Sequence, residues 1–306
     1  MRPVTFSNYE MFIRHHLAPA LAHLPLQDLR PDHIQRLYNQ TIDKGLSPGT
    51  VHGIHVVLRA ALKQAVRLGL VIHNVTDAVT LPRSQPRKIS PMTLAQVRHL
   101  LSVAKQDRLF PVVFLALGTD MRRGELLALR WQDVNLDTGV LHVRQAFALV
   151  WMHNPDKAAR KTRLLLQEPK TEHSRRAIPI PESIIDEMRH HKARQAQGKL
   201  LMGQAYQDDG LVFAEPDGRP IFPGTLTRRF KRLLGQAGLS PMRWHDIRHS
   251  FATLLLEQGE HPKTVQVILG HSKVSTTLDT YSHVSLDLEK RAAARLNASL
   301  QGPSSR

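Results

Sequence analysis

The sequence predicts a mainly α-helical protein of two domains, with strands confined to the second. Three observations carry that expectation. The chain has 306 residues, more than one hydrophobic core usually organises. Apolar positions recur at helical spacing through most of its length. After the first 80 residues the pattern stops at LPRSQPRK, residues 81–88, where two prolines and several basic and polar residues read as an interdomain linker.

The first domain, residues 1–82, reads as short helices. One begins near Asp32, taken as its N-cap, carries Ile34, Leu37, Tyr38 and Ile42 on one face, and stops at Gly45. A longer helix opens at Ser47-Pro48, a capping residue followed by proline at the first helical position, and runs to Gly69. On a helical wheel Val51, Ile54, Leu58, Ala61, Leu62 and Ala65 gather on one side. His52, His55, Arg59, Lys63 and Arg67 gather on the other. Such a basic stripe suits a DNA groove or its flanking phosphates, and equally an ordinary solvated face.

Residues 83–90 are the expected linker, and residues 91–306 the second domain. Helical signals resume at Thr93, with Leu94, Val97, Leu100, Leu101 and Ala104. The apolar run Pro111–Leu117 reads as a buried helix closed by Gly118, and a further helix is expected at about 123–130. VNLDTGVLHV (134–143) reads as a turn and a strand. A basic excursion, HNPDKAARKTR (153–163), precedes LLLQ and RAIPI, both strand-like. From Glu182 onward the pattern is mainly helical again.

Charge narrows the function. Forty-two Lys and Arg oppose 26 Asp and Glu, a formal charge of +16. A chain this basic faces a polyanion, most often nucleic acid, unless the charge serves only solubility. Aromatic residues are 5% of the chain, which argues against a single-strand binder that stacks bases. There is no cysteine, so disulfides, thiolate nucleophiles and cysteine-ligated zinc are excluded. The opening, MRPVTFSNYEMFIRHHLAPAL, is charged and broken by proline, unlike a signal peptide. No stretch approaches the roughly 20 apolar residues that span a bilayer. A cytoplasmic, nucleoid-associated protein with no membrane partner is expected.

Four clusters in the second domain could carry chemistry: TDMRRGELLALRW (119–131), EPKTEHSRRAIPI (168–180), HDIRHSFATLL (245–255) and LGHSKVSTTLDTYSH (269–283). Each has a structural explanation when taken alone. Arg122, Arg123 and Glu125 could form a surface salt-bridge group, His245 and Arg248 share a helix face, His271 could satisfy the last carbonyls of a helix, and Tyr281 could be a packed aromatic. Together, two arginines, a lysine and two histidines make a set that grips phosphate. Tyrosine is then the plausible nucleophile in a chain without cysteine. His245 and His249 also match a zinc-hydrolase spacing, but Asp246 stands where that motif needs Glu, and Arg248 would oppose a metal ion.

In this order the clusters resemble the tyrosine recombinase (phage integrase) family, above all integrases of phages and mobile elements. The resemblance extends to the helical first domain and so covers nearly the whole chain. It implies a mainly α fold with a small antiparallel β-sheet in the second domain: a helical core-binding domain followed by an α+β catalytic domain. Carried over by motif, the first arginine is Arg122 with Glu125 three residues on, Lys170 is the hairpin lysine, and His245 and Arg248 fill H-x-x-R. His271 is the Gly-His histidine, and Tyr281 is the nucleophile. Arg123 leaves the first arginine open by one position, and Lys157 and Lys161 compete with Lys170.

The implied activity is site-specific recombination of double-stranded DNA attachment sites through a 3′-phosphotyrosyl link, with no cofactor, metal or ATP. The competing expectation is a DNA-binding protein without recombinase activity. Four cut strands, one tyrosine each, imply a homo-tetramer on DNA. Accessory DNA-bending or directionality proteins are compatible partners. A final helix at about 285–298 would dock on a neighbouring subunit or pack on its own domain. The family usually carries a separate N-terminal arm-binding domain and a further helix before the core-binding domain. The chain opens almost inside that domain, which reads either as a shorter type or as a truncated start.

Overall fold

The computed structural model describes residues 1–83, 90–152, 161–168, 175–269 and 297. The chain divides into two compact units, Met1–Lys88 with Leu149–Leu164, and Ile89–Ala148 with Leu165–Arg306.

The first unit opens with α1 (Pro3–Phe12), a π-helical turn (Ile13–Leu17) and α2 (Ala18–Leu21), followed by α3 (Pro31–Asp43) and α4 (Pro48–Arg67). Ser47 caps α4 by accepting from the Thr50 amide at 3.3 Å, and Pro48 follows at the first position. Helix α3 is capped differently from the sequence expectation. Arg30 is its N-cap and Asp32 lies in the first turn, where Pro31 has already set the helical φ. The core gathers Leu17, Ile34, Leu37, Tyr38, Val51, Ile54, Val57, Leu58 and Leu62. Two positions of the expected faces differ. Ala61 is exposed and Val57 takes its place in the core, while Ile42 is exposed and Thr41 is buried, its hydroxyl donating to the Leu37 carbonyl at 2.7 Å. A threonine that returns its hydroxyl to the preceding turn can be buried at little cost.

The second unit begins with α5 (Leu94–Ala104), capped by Thr93 and Gln96, and α6 (Phe110–Gly118). Nearly every side chain of α6 is apolar and buried, which makes it the centre of the larger core. Helix α7 (Arg123–Leu127) is shorter than the expected 123–130, because the chain turns extended and Arg130 bridges to Leu211. Strands β1 (Val134–Asn135) and β2 (Val140–Val143) flank the Gly139 turn. Strand β3 (Ala146–Met152) pairs with β4 (Lys161–Gln167), and β5 (Arg176–Pro179) pairs antiparallel with β2, Leu141 opposite Ile178. The three-stranded sheet runs β1-β2-β5, both pairings antiparallel. The long α8 (Glu182–Met202), α9 (Pro223–Gln236), α10 (Trp244–Glu257) and α11 (Pro262–Leu269) follow. Helix α10 packs on α6. Ser250 of α10 ties that helix to the segment leading into α5: its hydroxyl donates to the Asp246 carbonyl at 3.1 Å and accepts from the Met92 amide at 2.9 Å. The fold is mainly helical with small antiparallel sheets, as the sequence predicts.

Candidate active site

The site grows from the C-terminal end of α6. Once that apolar helix closes at Gly118, the chain must leave the core, and its next two residues are polar and fully buried. Thr119 satisfies its hydroxyl on the Leu115 carbonyl at 2.6 Å. Asp120 is 0% exposed, and a buried carboxyl group needs a cation or a proton.

Two cations reach it. Arg248, on α10 and 5% exposed, places Nε 2.9 Å from Asp120 Oδ1 and donates from Nη1 to the Asp120 carbonyl at 3.2 Å. Arg176, on β5, donates from Nη2 to the same carbonyl at 3.1 Å and lies 3.8 Å from Asp120 Oδ2. Neither carboxyl oxygen receives a well-directed hydrogen bond among the described residues, so the directed contacts of both arginines are to the main-chain carbonyl. Burial pushes the Asp120 carboxyl up to about 8, against the pull of Arg248 and Arg176.

Arg176 also reaches a second carboxylate. Its Nη2 donates to Glu125 Oε2 at 3.1 Å. Glu125 occupies the third position of α7 and accepts from the Arg122 amide at 2.9 Å, closing the helix N-terminus. Its other oxygen accepts from Arg122 Nη1 at 2.9 Å. Burial alone would raise this carboxyl, but Arg176 and the hydrogen bonds from Arg176 and Arg122 hold it below the usual value. The R-x-x-E spacing thus places a capping carboxylate and a surface guanidinium on one turn. Helix α10 opens the same way, with Asp246 accepting from the Arg243 amide at 2.8 Å.

His245 lies in the first turn of α10, and its ring stands edge-on to His249 with centroids 5.4 Å apart. Partial burial, and then the neighbouring Arg248, hold the His245 ring below its ordinary pKa. The neutral imidazole that results at pH 7 can accept a proton. Arg122, His245 and Arg248 therefore share one neighbourhood, each within electrostatic reach of the others. Arg123 donates from Nη1 to the Thr227 hydroxyl of α9 at 2.9 Å, and its charge also reaches His245. Lys170, His271 and Tyr281 lie outside the described residues, as do Lys157, the Lys161 side chain and nearly all of the expected helix at 285–298.

The pattern of residues 91–287 matches the phage integrase family, and residues 1–42 match the phage integrase N-terminal SAM-like domain. The chain belongs to the phage integrase family. As a member it is an enzyme, a site-specific recombinase of the tyrosine type. It is 32% identical to a tyrosine recombinase XerC-like protein of Caldanaerobacter subterraneus, over 97% of this chain and 78% of that one. To the ICEBs1 integrase of Bacillus subtilis it is 26% identical, with the same coverage. Its fold is similar to that of the Tn1549 transposon integrase, solved in complex with transposon right end DNA, at a TM-score of 0.75 and 24% identity over 96% of this chain and 93% of that one. The lambda integrase dimer bound to a COC′ core site matches at a TM-score of 0.67 and 22% identity, over 92% of this chain and 89% of that one.

The basic stripe on α4 is less uniform than the sequence implies. His55 Nδ1 is 3.0 Å from the buried Tyr38 hydroxyl, and His52 Nε2 is 3.1 Å from the Pro82 carbonyl. Arg59 pairs with Asp77 at 2.8 Å. Only Lys63 and Arg67 of the five have neither an ion pair nor a side-chain hydrogen bond among the described residues. Arg176 and Asp120 were not among the residues singled out from the sequence. Both fall inside the clusters 119–131 and 168–180, but their pairing is not readable from the sequence, since their partners are far away along the chain.

Proposed function

We propose that this recombinase cuts and rejoins double-stranded DNA at attachment sites through a 3′-phosphotyrosyl link to Tyr281. The observation that carries this reading is the joint anchoring of Arg122 and Arg248 on one buried network of carboxylates, with the neutral ring of His245 beside them. Two guanidinium groups held near one another match the non-bridging oxygens of a phosphodiester.

In the reaction, Tyr281 Oη attacks phosphorus, the phosphorus–5′-oxygen bond breaks, and the new ester joins the 3′-phosphate to tyrosine. A phenol of ordinary pKa near 10 must lose its proton on attack, and His245 is the candidate acceptor or phosphate-positioning group. Arg122 and Arg248 balance the charge that builds on the phosphate. Lys170 is the candidate donor to the leaving 5′ oxygen, and His271 a further donor to the phosphate. The ester conserves the bond energy, so religation needs no ATP, and the arginines supply the charge that a metal would otherwise bring.

Residues 1–82 would serve as the core-binding domain and 91–306 as the catalytic domain. A homo-tetramer on DNA fits the need for four tyrosines, and the lambda integrase has been solved as a tetramer bound to a Holliday junction. Among the described residues no helix is long and apolar enough to cross a membrane. A cytoplasmic enzyme at the nucleoid, open to accessory bending proteins, is consistent with that.

The test uses a nicked duplex that the wild-type chain itself selects from a random-sequence pool, with EDTA and without ATP. A covalent protein–DNA band is expected that is absent in Tyr281→Phe and present in Tyr206→Phe. Absence of any adduct on a duplex the protein binds would leave a DNA-binding protein without recombinase activity.

A further inference from the structure

We propose that Asp120 and Arg176 are positioning residues that hold the two phosphate arginines, Arg122 and Arg248, in fixed register. This rests on the role assigned above to those arginines.

The contacts form one unbroken series. Arg122 Nη1 meets Glu125 Oε1 at 2.9 Å, and Glu125 Oε2 meets Arg176 Nη2 at 3.1 Å. Arg176 Nη2 then meets the Asp120 carbonyl at 3.1 Å, and Asp120 Oδ1 meets Arg248 Nε at 2.9 Å. Arg176 is in contact with both carboxylates. The series joins three elements that the sequence keeps apart: the α6–α7 turn, strand β5 and helix α10.

Position is the difficult requirement for an arginine that meets a phosphate. Its side chain has several rotatable bonds, and ordering them costs entropy at each encounter unless the protein has already done so. Asp120 holds Arg248 at two points, through the carboxyl group on Nε and the main-chain carbonyl on Nη1. Two points fix the plane of a guanidinium as well as its place. Glu125 holds the Arg122 guanidinium at one point, Nη1, from the edge of α7. If Arg176 were absent, each carboxylate would keep its own arginine, but among the described residues the two pairs would be tied only through the backbone of residues 120–125.

The charge balance favours this role over simple burial. Among the described residues, three guanidinium groups face at most two carboxylates, an excess of positive charge. A purely structural cluster would be better neutralised, because burying uncompensated charge is costly. An arriving phosphodiester would complete it.

The test measures single-turnover formation of the covalent adduct on the selected nicked duplex, and separately the affinity for that duplex. Assayed at about pH 9, where Asp120 is ionised, Asp120→Asn keeps the main-chain carbonyl and the volume but loses the carboxylate. It is expected to slow adduct formation on the order of 10²-fold, the scale of a misplaced reacting group, with duplex affinity unchanged. Arg176→Lys is expected to act in the same direction. The double variant Asp120→Asn with Arg248→Lys should be no slower than Arg248→Lys alone, since both changes act through one side chain.

A folded Asp120→Asn protein reacting at the wild-type rate overturns the proposal, as do losses that multiply in the double variant. A loss of affinity equal to the loss of rate also overturns it. If thermal melting shows that Asp120→Asn does not fold, Arg176→Lys decides: a wild-type rate in that protein is equally fatal. A wild-type chain that forms no adduct removes the function proposed above, and is seen before any variant is compared.

Discussion

At Asp120 the protein places an ionisable group where water does not reach, and the result should be visible in its stability. The carboxyl titrates near 8 in the folded chain, against an ordinary 3.8. Between those values the unfolded chain has released its proton while the folded chain retains it, so the folded state binds more protons. Stability from this group is therefore complete below about pH 4 and declines as pH rises toward 8. Asp120→Asn cannot ionise, and its unfolding free energy should change less over that window. Denaturant titrations of both proteins at several pH values measure the difference, and parallel curves would contradict it. The sequence made some of this site readable and concealed the rest. The pair Arg122 and Glu125 is legible because three residues bring both to one helical turn. Asp120 is not, because its arginines lie 56 and 128 residues further along the chain, and no local rule connects such distances.

Among the elements, α4 shows what periodicity can and cannot assign. Its cap, its start and its end follow from Ser47, Pro48 and Gly69, which act within a turn of the backbone. Its polar face is a different matter, because charge alone does not say what a side chain meets. Lys63 and Arg67 are the members of the stripe suited to phosphate. Lys63→Ala is expected to lower the slope of log affinity against log salt by about 0.9, the contribution of one phosphate contact. His55→Ala should leave that slope unchanged and reduce thermal stability, because the Tyr38 hydroxyl, 1% exposed as a residue, loses its partner. Equal slopes for Lys63→Ala and wild type would assign the stripe to solvent. Strand β3 escaped the sequence reading for a related reason. AFALVWM lacks the polar alternation that announces a half-buried strand, so only its pairing with β4 reveals it. The opposite holds for β2 and β5, where the Gly139 turn and the short runs VLHV and RAIP gave local signals.

For the whole molecule, the path of the chain matters more than any one contact. The chain passes from one unit to the other three times, near residues 88, 148 and 164, because residues 149–164 belong with the first unit. Ser7 on α1 secures that segment, its hydroxyl accepting from the Trp151 amide at 2.8 Å. A single cut in the stretch 84–88 therefore divides the polypeptide without dividing the protein. With a specific protease site placed there, the two fragments should elute together under native conditions and part only in denaturant. Fragments that separate freely would contradict it. The same path bears on heredity: a recombination event between related genes at the first crossing, near residue 88, would exchange the first 80 residues yet leave their companion strands behind. The two units are stitched into one inheritable piece, and a new partner for either must also suit the borrowed strands.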